Sequence, residues 1–153
     1  MRRRSILGGA LGLGLPLLGC SGTPKAEIWR DANCGCCGGW VGHLRAEGFA
    51  VEDKVVEAVG PYRQALGTPP DLISCHAGRI GGWAMEGHVP VPAIRRLLRE
   101  RPSEVSGLAV PEMPVGVPGM EMPGAAPPTY AVLAFSPDGA WRVWMSFRGL
   151  QPV

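Results

Sequence analysis

Cys34-Gly35-Cys36-Cys37 places three thiols within four residues, and a fourth, Cys75, stands beside His76 well downstream. A bridge between the neighbours Cys36 and Cys37 would be strained. Cys34 and Cys37 instead have the C-x-x-C spacing that serves a redox disulfide or a shared metal ion. The third thiol is surplus to simple dithiol chemistry and suits a thiolate-rich metal site. Thiolate and thioether ligands select Cu(I), with zinc and iron–sulfur clusters as competitors. Four thiolates also suit one tetrahedral zinc, although C-x-C-C is not the paired C-x-x-C pattern of a zinc ribbon. Two further chemistries stay open: a pair of structural disulfides in an oxidising compartment, and a thiol–disulfide oxidoreductase working through Cys34 and Cys37.

Other soft or borderline donors cluster around the same chemistry. His76 follows Cys75 directly, and both can reach one ion only if the strand has ended there, because strand neighbours point to opposite faces. His88, in Glu86-Gly87-His88-Val89-Pro90, is a second candidate ligand. Met113 and Met120 are candidate thioether ligands from a proline-rich stretch, where Met122 also lies. Thioethers bind Cu(I) usefully and zinc hardly at all, which tilts the metal toward copper. His43 reads as structural, Met85 as core, and Met145 as hairpin packing.

The amino terminus reads as an export signal. Arg2, Arg3 and Arg4 precede an apolar run from Ile6 to Leu18 that is too short to span a bilayer. Arg3-Arg4-Ser5-Ile6-Leu7 resembles a twin-arginine signal, and Leu17-Leu18-Gly19-Cys20 resembles a lipoprotein lipobox whose cysteine is acylated. Residues 1–19 are therefore expected to be a cleaved leader, with lipid on Cys20 as the only membrane attachment and the periplasm as the compartment. Three of the 15 basic residues leave with that leader, so 12 face 13 acidic ones. No basic bias remains, and nothing points to nucleic acid.

The elements that must position these thiols follow from periodicity. Residues 20–25 form a tether, and 26–106 one α/β domain. Ala26 to Arg30 alternates as a strand. Cys37, Trp40, Val41 and Leu44 fall on one helical face, and Gly48 closes that helix. Phe49, Val51 and Val55 mark a second strand. Pro61 opens a short helix with Tyr62, Ala65 and Leu66 inward. Leu72 to Cys75 reads as a third strand and Trp83 to Met85 as a fourth. Pro92 begins a third helix that buries Ile94, Leu97 and Leu98 and stops at Pro102. The order β-α-β-α-β-β-α is that of a thioredoxin-like domain, though the aromatic-Cys-Gly-Pro-Cys form common in thioredoxins is absent. Pro69 or Pro70 is expected to be the cis-proline such folds place against the active site.

Residues 107–153 are expected to pack on the same domain. Gly107 to Pro128 carries six prolines and three methionines without helical or strand period, so it reads as a functional loop or a linker. A hairpin follows: Thr129 to Phe135, a Ser136-Pro137-Asp138-Gly139 turn, and Ala140 to Phe147, with Trp141 and Trp144 packing it down.

Cys34-Gly35-Cys36-Cys37-Gly38-Gly39-Trp40, Ser74-Cys75-His76, Glu86-Gly87-His88-Val89-Pro90, Gly107-Leu108-Ala109-Val110-Pro111 and Pro118-Gly119-Met120-Glu121 resemble, in order and spacing, exported copper-resistance proteins of the CopG type. The resemblance implies a thioredoxin-like fold binding copper through Cys34, Cys36, Cys37 and Cys75, which in this family can bridge several ions into one cluster. It also implies periplasmic copper tolerance, with Cu(I)/Cu(II) interconversion, alongside other periplasmic copper-handling proteins. His76, His88, Met113 and Met120 match in sequence. Two positions depart from the family pattern: Met85 replaces an aliphatic residue, and Glu112 stands where a glycine usually precedes the methionine.

Overall fold

The computed structural model describes residues 22–124 and 126–153; the expected leader and Cys20 lie outside the described residues. Eight strands form one sheet in the order β2-β1-β3-β4-β5-β6-β7-β8. Its first half is built from β1 (Lys25–Asp31), α1 (Cys37–Ala46), β2 (Ala50–Val56), α2 (Gly60–Ala65), β3 (His76–Ile80), β4 (Trp83–Glu86) and α3 (Val91–Glu100). That is the element order expected of a thioredoxin-like domain. β1 runs parallel to β2 and antiparallel to β3, which pairs antiparallel with β4.

Apolar spacing sets the layers. α1 buries Cys37, Trp40, Val41 and Leu44, the face its sequence marks, and Gly48 ends it at φ +86, a conformation that penalises any side chain. α3 buries Val91, Ala93, Ile94 and Leu97. Both helices pack on Ile28, Ile80, Met85 and Leu108 of the sheet in the main core. A smaller cluster of Leu72, Ala84, Ala109, Leu133 and Phe135 forms a second core.

The second half extends the same sheet. β5 (Gly107–Ala109) pairs parallel with β4, so the start of the proline-rich stretch is a strand and not loop as its composition suggests. β6 (Thr129–Phe135) and β7 (Trp141–Arg148) form the expected hairpin, and β8 (Gln151–Pro152) edges it. Trp144 is buried, with Nε1 donating to the Ala93 carbonyl of α3 at 3.3 Å. Trp141 departs from expectation. It is 50% exposed and anchored by Nε1 donating to Asp71 Oδ2 at 2.8 Å.

Three local expectations are corrected. α2 buries none of its residues, and Tyr62 and Ala65 are exposed; a helix of six residues is too short to present an apolar stripe. Tyr62 stacks on Trp29 with ring centroids 5.1 Å apart. Leu72 to Cys75 is not a strand: a 3₁₀ turn covers Pro70–Leu72, and β3 begins only at His76. The reason is that side chains, not a neighbouring strand, take both backbone groups of Ser74. Finally, there is no cis peptide bond among the described residues, so neither Pro69 nor Pro70 is a cis-proline. Pro69 instead sits in extended conformation and caps the 3₁₀ turn, its carbonyl accepting from the Leu72 amide at 3.0 Å.

Candidate metal centre

A tight turn carries the first three cysteines from β1 into α1. The Cys34 amide donates to the Asp31 carbonyl at 3.2 Å, and the Asn33 amide to Asp31 Oδ1 at 2.7 Å. Cys36 is the N-cap of α1, and its carbonyl accepts from Gly39 and Trp40. No acidic residue lies in the first turn to compete with these sulfurs for the positive end of the helix. Cys34 and Cys37 are joined as a disulfide, the pairing that C-x-x-C spacing allows, while Cys36 and Cys75 are free. A framework of two crosslinks is therefore absent from this site. Cys36 Sγ lies 3.7 Å from Cys34 Sγ.

The opposite wall comes from the sheet. Because β3 starts at His76, Cys75 precedes the strand and both side chains turn toward the same point. His76 Nδ1 lies 3.2 Å from Cys75 Sγ and 3.3 Å from Cys37 Sγ. His76 packs against Trp40 at 4.4 Å between centroids and against His88 at 5.0 Å. Trp40 in turn donates Nε1–H to the Val89 carbonyl at 2.8 Å, tying α1 to the segment that carries His88.

Two overlapping groups of potential ligands result. Cys34, Cys36, Cys37 and Cys75 form one, and Cys37, Cys75, His76 and His88 the other, each with its donor atoms within 4.8 Å of one another. Cys37 and Cys75 are common to both. His88 Nδ1 lies 2.7 Å from the Pro118 carbonyl, which can only accept, so Nδ1 carries the proton and Nε2 keeps a bare lone pair. Fixing one imidazole nitrogen by a carbonyl is how metal-binding histidines are commonly oriented. His76 Nε2 and His88 Nε2 are buried without a hydrogen-bond partner, a costly arrangement for polar atoms unless something binds them. The donor set thus fits a soft metal ion.

Burial also sets the protonation states. It holds His76 well below the ordinary histidine range, with the nearby His88 adding to the effect. Burial lowers His88 as well, so both rings are neutral and ligand-competent near neutral pH. It pushes the Cys75 thiol up to about 12, with the charge of Cys36 contributing. Cys75 therefore keeps its proton until a metal displaces it.

The long loop after β5 closes over this corner. Gly119, at φ +87, presses against the start of α1 so closely that a Cβ there would lie 2.5 Å from the Trp40 amide nitrogen. A Cβ on Gly39 would meet Gly119 Cα at 2.8 Å. His43 Nε2 pairs with Glu121 Oε1 at 2.5 Å, joining α1 to the loop. Met113 is 40% exposed and Met120 is partly buried against the main core. Met85 is fully buried core, and Met145 packs against that core from the hairpin.

Sequence reasoning gave no role to Arg63 and Glu86, although they support this wall. Glu86 is fully buried, at the end of β4, and pairs with Arg63 of α2. A usable signal existed: an acidic residue stands two places after Ala84, in register with an inward position of a strand.

Fold and site together define an α/β protein, its element order compatible with a thioredoxin-like domain, with a cysteine–histidine centre able to hold metal. Two solved structures, titled "Copper resistance protein copG- Form 2" and "Copper resistance protein copG- Form 1", are similar to it. Identity is 39% and 41%, with 82% of this chain covered in each case. The alignments take in 99% and 98% of those chains, at TM-scores of 0.76 and 0.75. A family model described as "Protein of unknown function, DUF411" matches residues 72–120. No curated protein matches. The chain belongs to the CopG family of copper resistance proteins.

Proposed function

We propose that this protein holds Cu(I) for copper tolerance, through bridging thiolates of Cys34, Cys36, Cys37 and Cys75 that gather more than one ion per chain. The observation that carries this reading is the convergence of four sulfur atoms within 4.8 Å of one another, beside two buried, unpartnered imidazole nitrogens. Thiolate-rich sites favour monovalent copper, and Cys37 and Cys75, shared by both ligand groups, are the natural bridging atoms. His76 and His88 supply nitrogen to the same centre. Met113 and Met120 are the thioether candidates of the loop.

The Cys34–Cys37 disulfide gives the site a redox partner of its own. Opening it takes two electrons and two protons from a dithiol donor, which leaves as its own disulfide, and releases two thiols, completing the four-thiolate set. In the reverse direction the two thiols pass one electron to each of two Cu(II) ions, leaving a disulfide, two Cu(I) and two protons. Copper is cargo in this scheme.

The place of action in this reading is the periplasm, with Cys20 as the lipid anchor and other copper-handling proteins of that compartment as partners. β1 then separates anchor from site: its seven residues rise about 23 Å at roughly 3.3 Å each. The centre would stand clear of the membrane, open to soluble partners.

The disulfide at a helix start also favours a second reading, a thiol–disulfide oxidoreductase that serves copper proteins. Anaerobic Cu(I) titration of the reduced protein separates the two. The copper reading predicts more than one Cu(I) per chain with loss of thiol reactivity at all four cysteines. It is wrong if Cys36→Ser and Cys75→Ser bind copper unchanged. Vigorous reduction of a test disulfide by Cys34 and Cys37 without copper supports the second reading. For the anchor, mass spectrometry of the mature amino terminus should find a diacylglyceryl cysteine at position 20, and an unmodified start elsewhere excludes it.

A further inference from the structure

Cys75 has no secondary structure to hold it. The 3₁₀ turn ends at Leu72 and β3 begins at His76, so residues 73–75 lie outside the sheet ladder. What replaces the ladder is a closed clamp of side chains. The Ser74 amide donates to Glu86 Oε1 at 2.8 Å, and the Ser74 carbonyl accepts from Arg63 Nη2 at 2.8 Å. Arg63 and Glu86 then lock to each other: Nε reaches Oε1 at 3.0 Å and Oε2 at 2.9 Å, and Nη2 reaches Oε1 at 2.9 Å. Glu86 is fully buried and Arg63 half-buried, its side chain 14% exposed.

We infer that the Arg63–Glu86 pair is a positioning device for Cys75, setting whether the fourth thiol reaches the other three. The inference rests on the copper reading above for its purpose, but its geometry stands without copper. A buried ion pair is a poor source of net stability, because desolvation offsets the attraction, so its retention here calls for another role. α2 buries no apolar residue of its own; what it turns toward the sheet is the half-buried Arg63, paired with Glu86. The opposite face of the same segment is equally constrained. A Cβ on Gly87 would sit 2.6 Å from Ser74 Oγ, and the Gly87 amide holds the His76 carbonyl at 3.0 Å. Ser74 is therefore held through both backbone groups by the ion pair, while its side chain packs against the turn after β4 with Oγ buried and unpartnered.

Two variants separate positioning from mere charge compensation. Arg63→Lys keeps the charge but loses the fork that spans Glu86 and the Ser74 carbonyl. Arg63→Met combined with Glu86→Leu removes both charges, a replacement buried pairs often tolerate without loss of stability. In both, the metal-free, reduced protein is treated with iodoacetamide and each cysteine is followed by peptide mass spectrometry. Positioning predicts that Cys75 alkylation speeds up about tenfold or more while Cys36 changes little, because a local opening has become easier. It also predicts that Cu(I) buffered by a chromophoric chelator loads to the level of Cys75→Ser, with the same weakened thiolate–copper absorption. Unchanged Cys75 reactivity in the folded variants overturns the inference, as does equal acceleration at every cysteine. Should the double variant fail to fold, Arg63→Lys decides by the same criteria, and global unfolding of both would show the pair to be structural. Were Cys75→Ser to bind copper normally, the copper reading would fall while the alkylation result still judged the clamp.

Discussion

The two walls of the centre are held by opposite means. Cys34, Cys36 and Cys37 are placed by one turn and one helix start, within a few residues of chain. Cys75, His76 and His88 are placed by contacts between distant segments: Arg63 to Glu86, Trp40 to Val89, and His88 to Pro118. The first wall is encoded locally, within a few residues of chain. The second exists only when the whole domain is packed. A site of this kind can keep a reactive disulfide loop intact while the ligands facing it depend on the fold.

The sharpest way to break this contrast is at Cys37, the first-wall residue that belongs to both ligand groups. Cys37 is fully buried, bonded to Cys34 and 3.3 Å from His76. Cys37→Ser should abolish multi-copper loading, measured by metal analysis after anaerobic reconstitution, whereas Cys34→Ser should weaken it without removing the Cys37–Cys75–His76–His88 group. Equal losses in the two would deny the walls their separate characters.

Next in size is the joint between the loop and α1. Gly119→Ala forces a Cβ within 2.5 Å of the Trp40 amide nitrogen at a φ of +87. Left-handed strain and overpacking together should cost about 2–4 kcal/mol, read from denaturant unfolding. The clash falls on the start of α1, and the His88–Pro118 contact lies beside it, so both walls should loosen together. Smaller again is Trp40→Phe, which leaves the buried Val89 carbonyl without its donor. A loss of about 1–3 kcal/mol is expected, with the Cys34–Cys37 disulfide still forming normally.

The smallest effect should be a gain. Glu112 and Met113 are both non-glycine residues at positive φ, +64 and +47. Glu112 is also the position where the family pattern leads one to expect glycine. Glu112→Gly should relieve strain and raise stability by about 1 kcal/mol, seen as a higher Tm, with little change at the cysteines. A decrease would mean that the glutamate makes a contact outweighing its backbone strain.

The same division explains what could be read from the sequence. The first wall was legible because its instructions are local: the cysteine spacing, the apolar face of Cys37, Trp40, Val41 and Leu44, and the glycine at 48 that ends the helix. The hairpin was legible for the same reason, from alternation around a Ser-Pro-Asp-Gly turn. Cys75 and His76 were visible as residue types, but the strand assigned to Leu72 through Cys75 was wrong. Its apolar run looks like sheet, yet the backbone of Ser74 is claimed by Arg63 and Glu86, partners 11 and 12 residues away. No local period encodes such a bond. Trp141 misled similarly: an aromatic on a hairpin suggests core, but alternation turns it to the face opposite Trp144's packing, where Asp71 meets it. The strand Gly107–Ala109 was hidden by the prolines that follow it, because three residues are too few to show a period.

X-ray absorption at the copper edge, on protein reduced and loaded with Cu(I) without oxygen, bears most directly on whether the four sulfurs act as one trap. The account predicts a sulfur-dominated shell together with a copper neighbour at bridging distance, both diminished in Cys75→Ser. A single copper with no copper neighbour, or a shell dominated by oxygen and nitrogen, would contradict it.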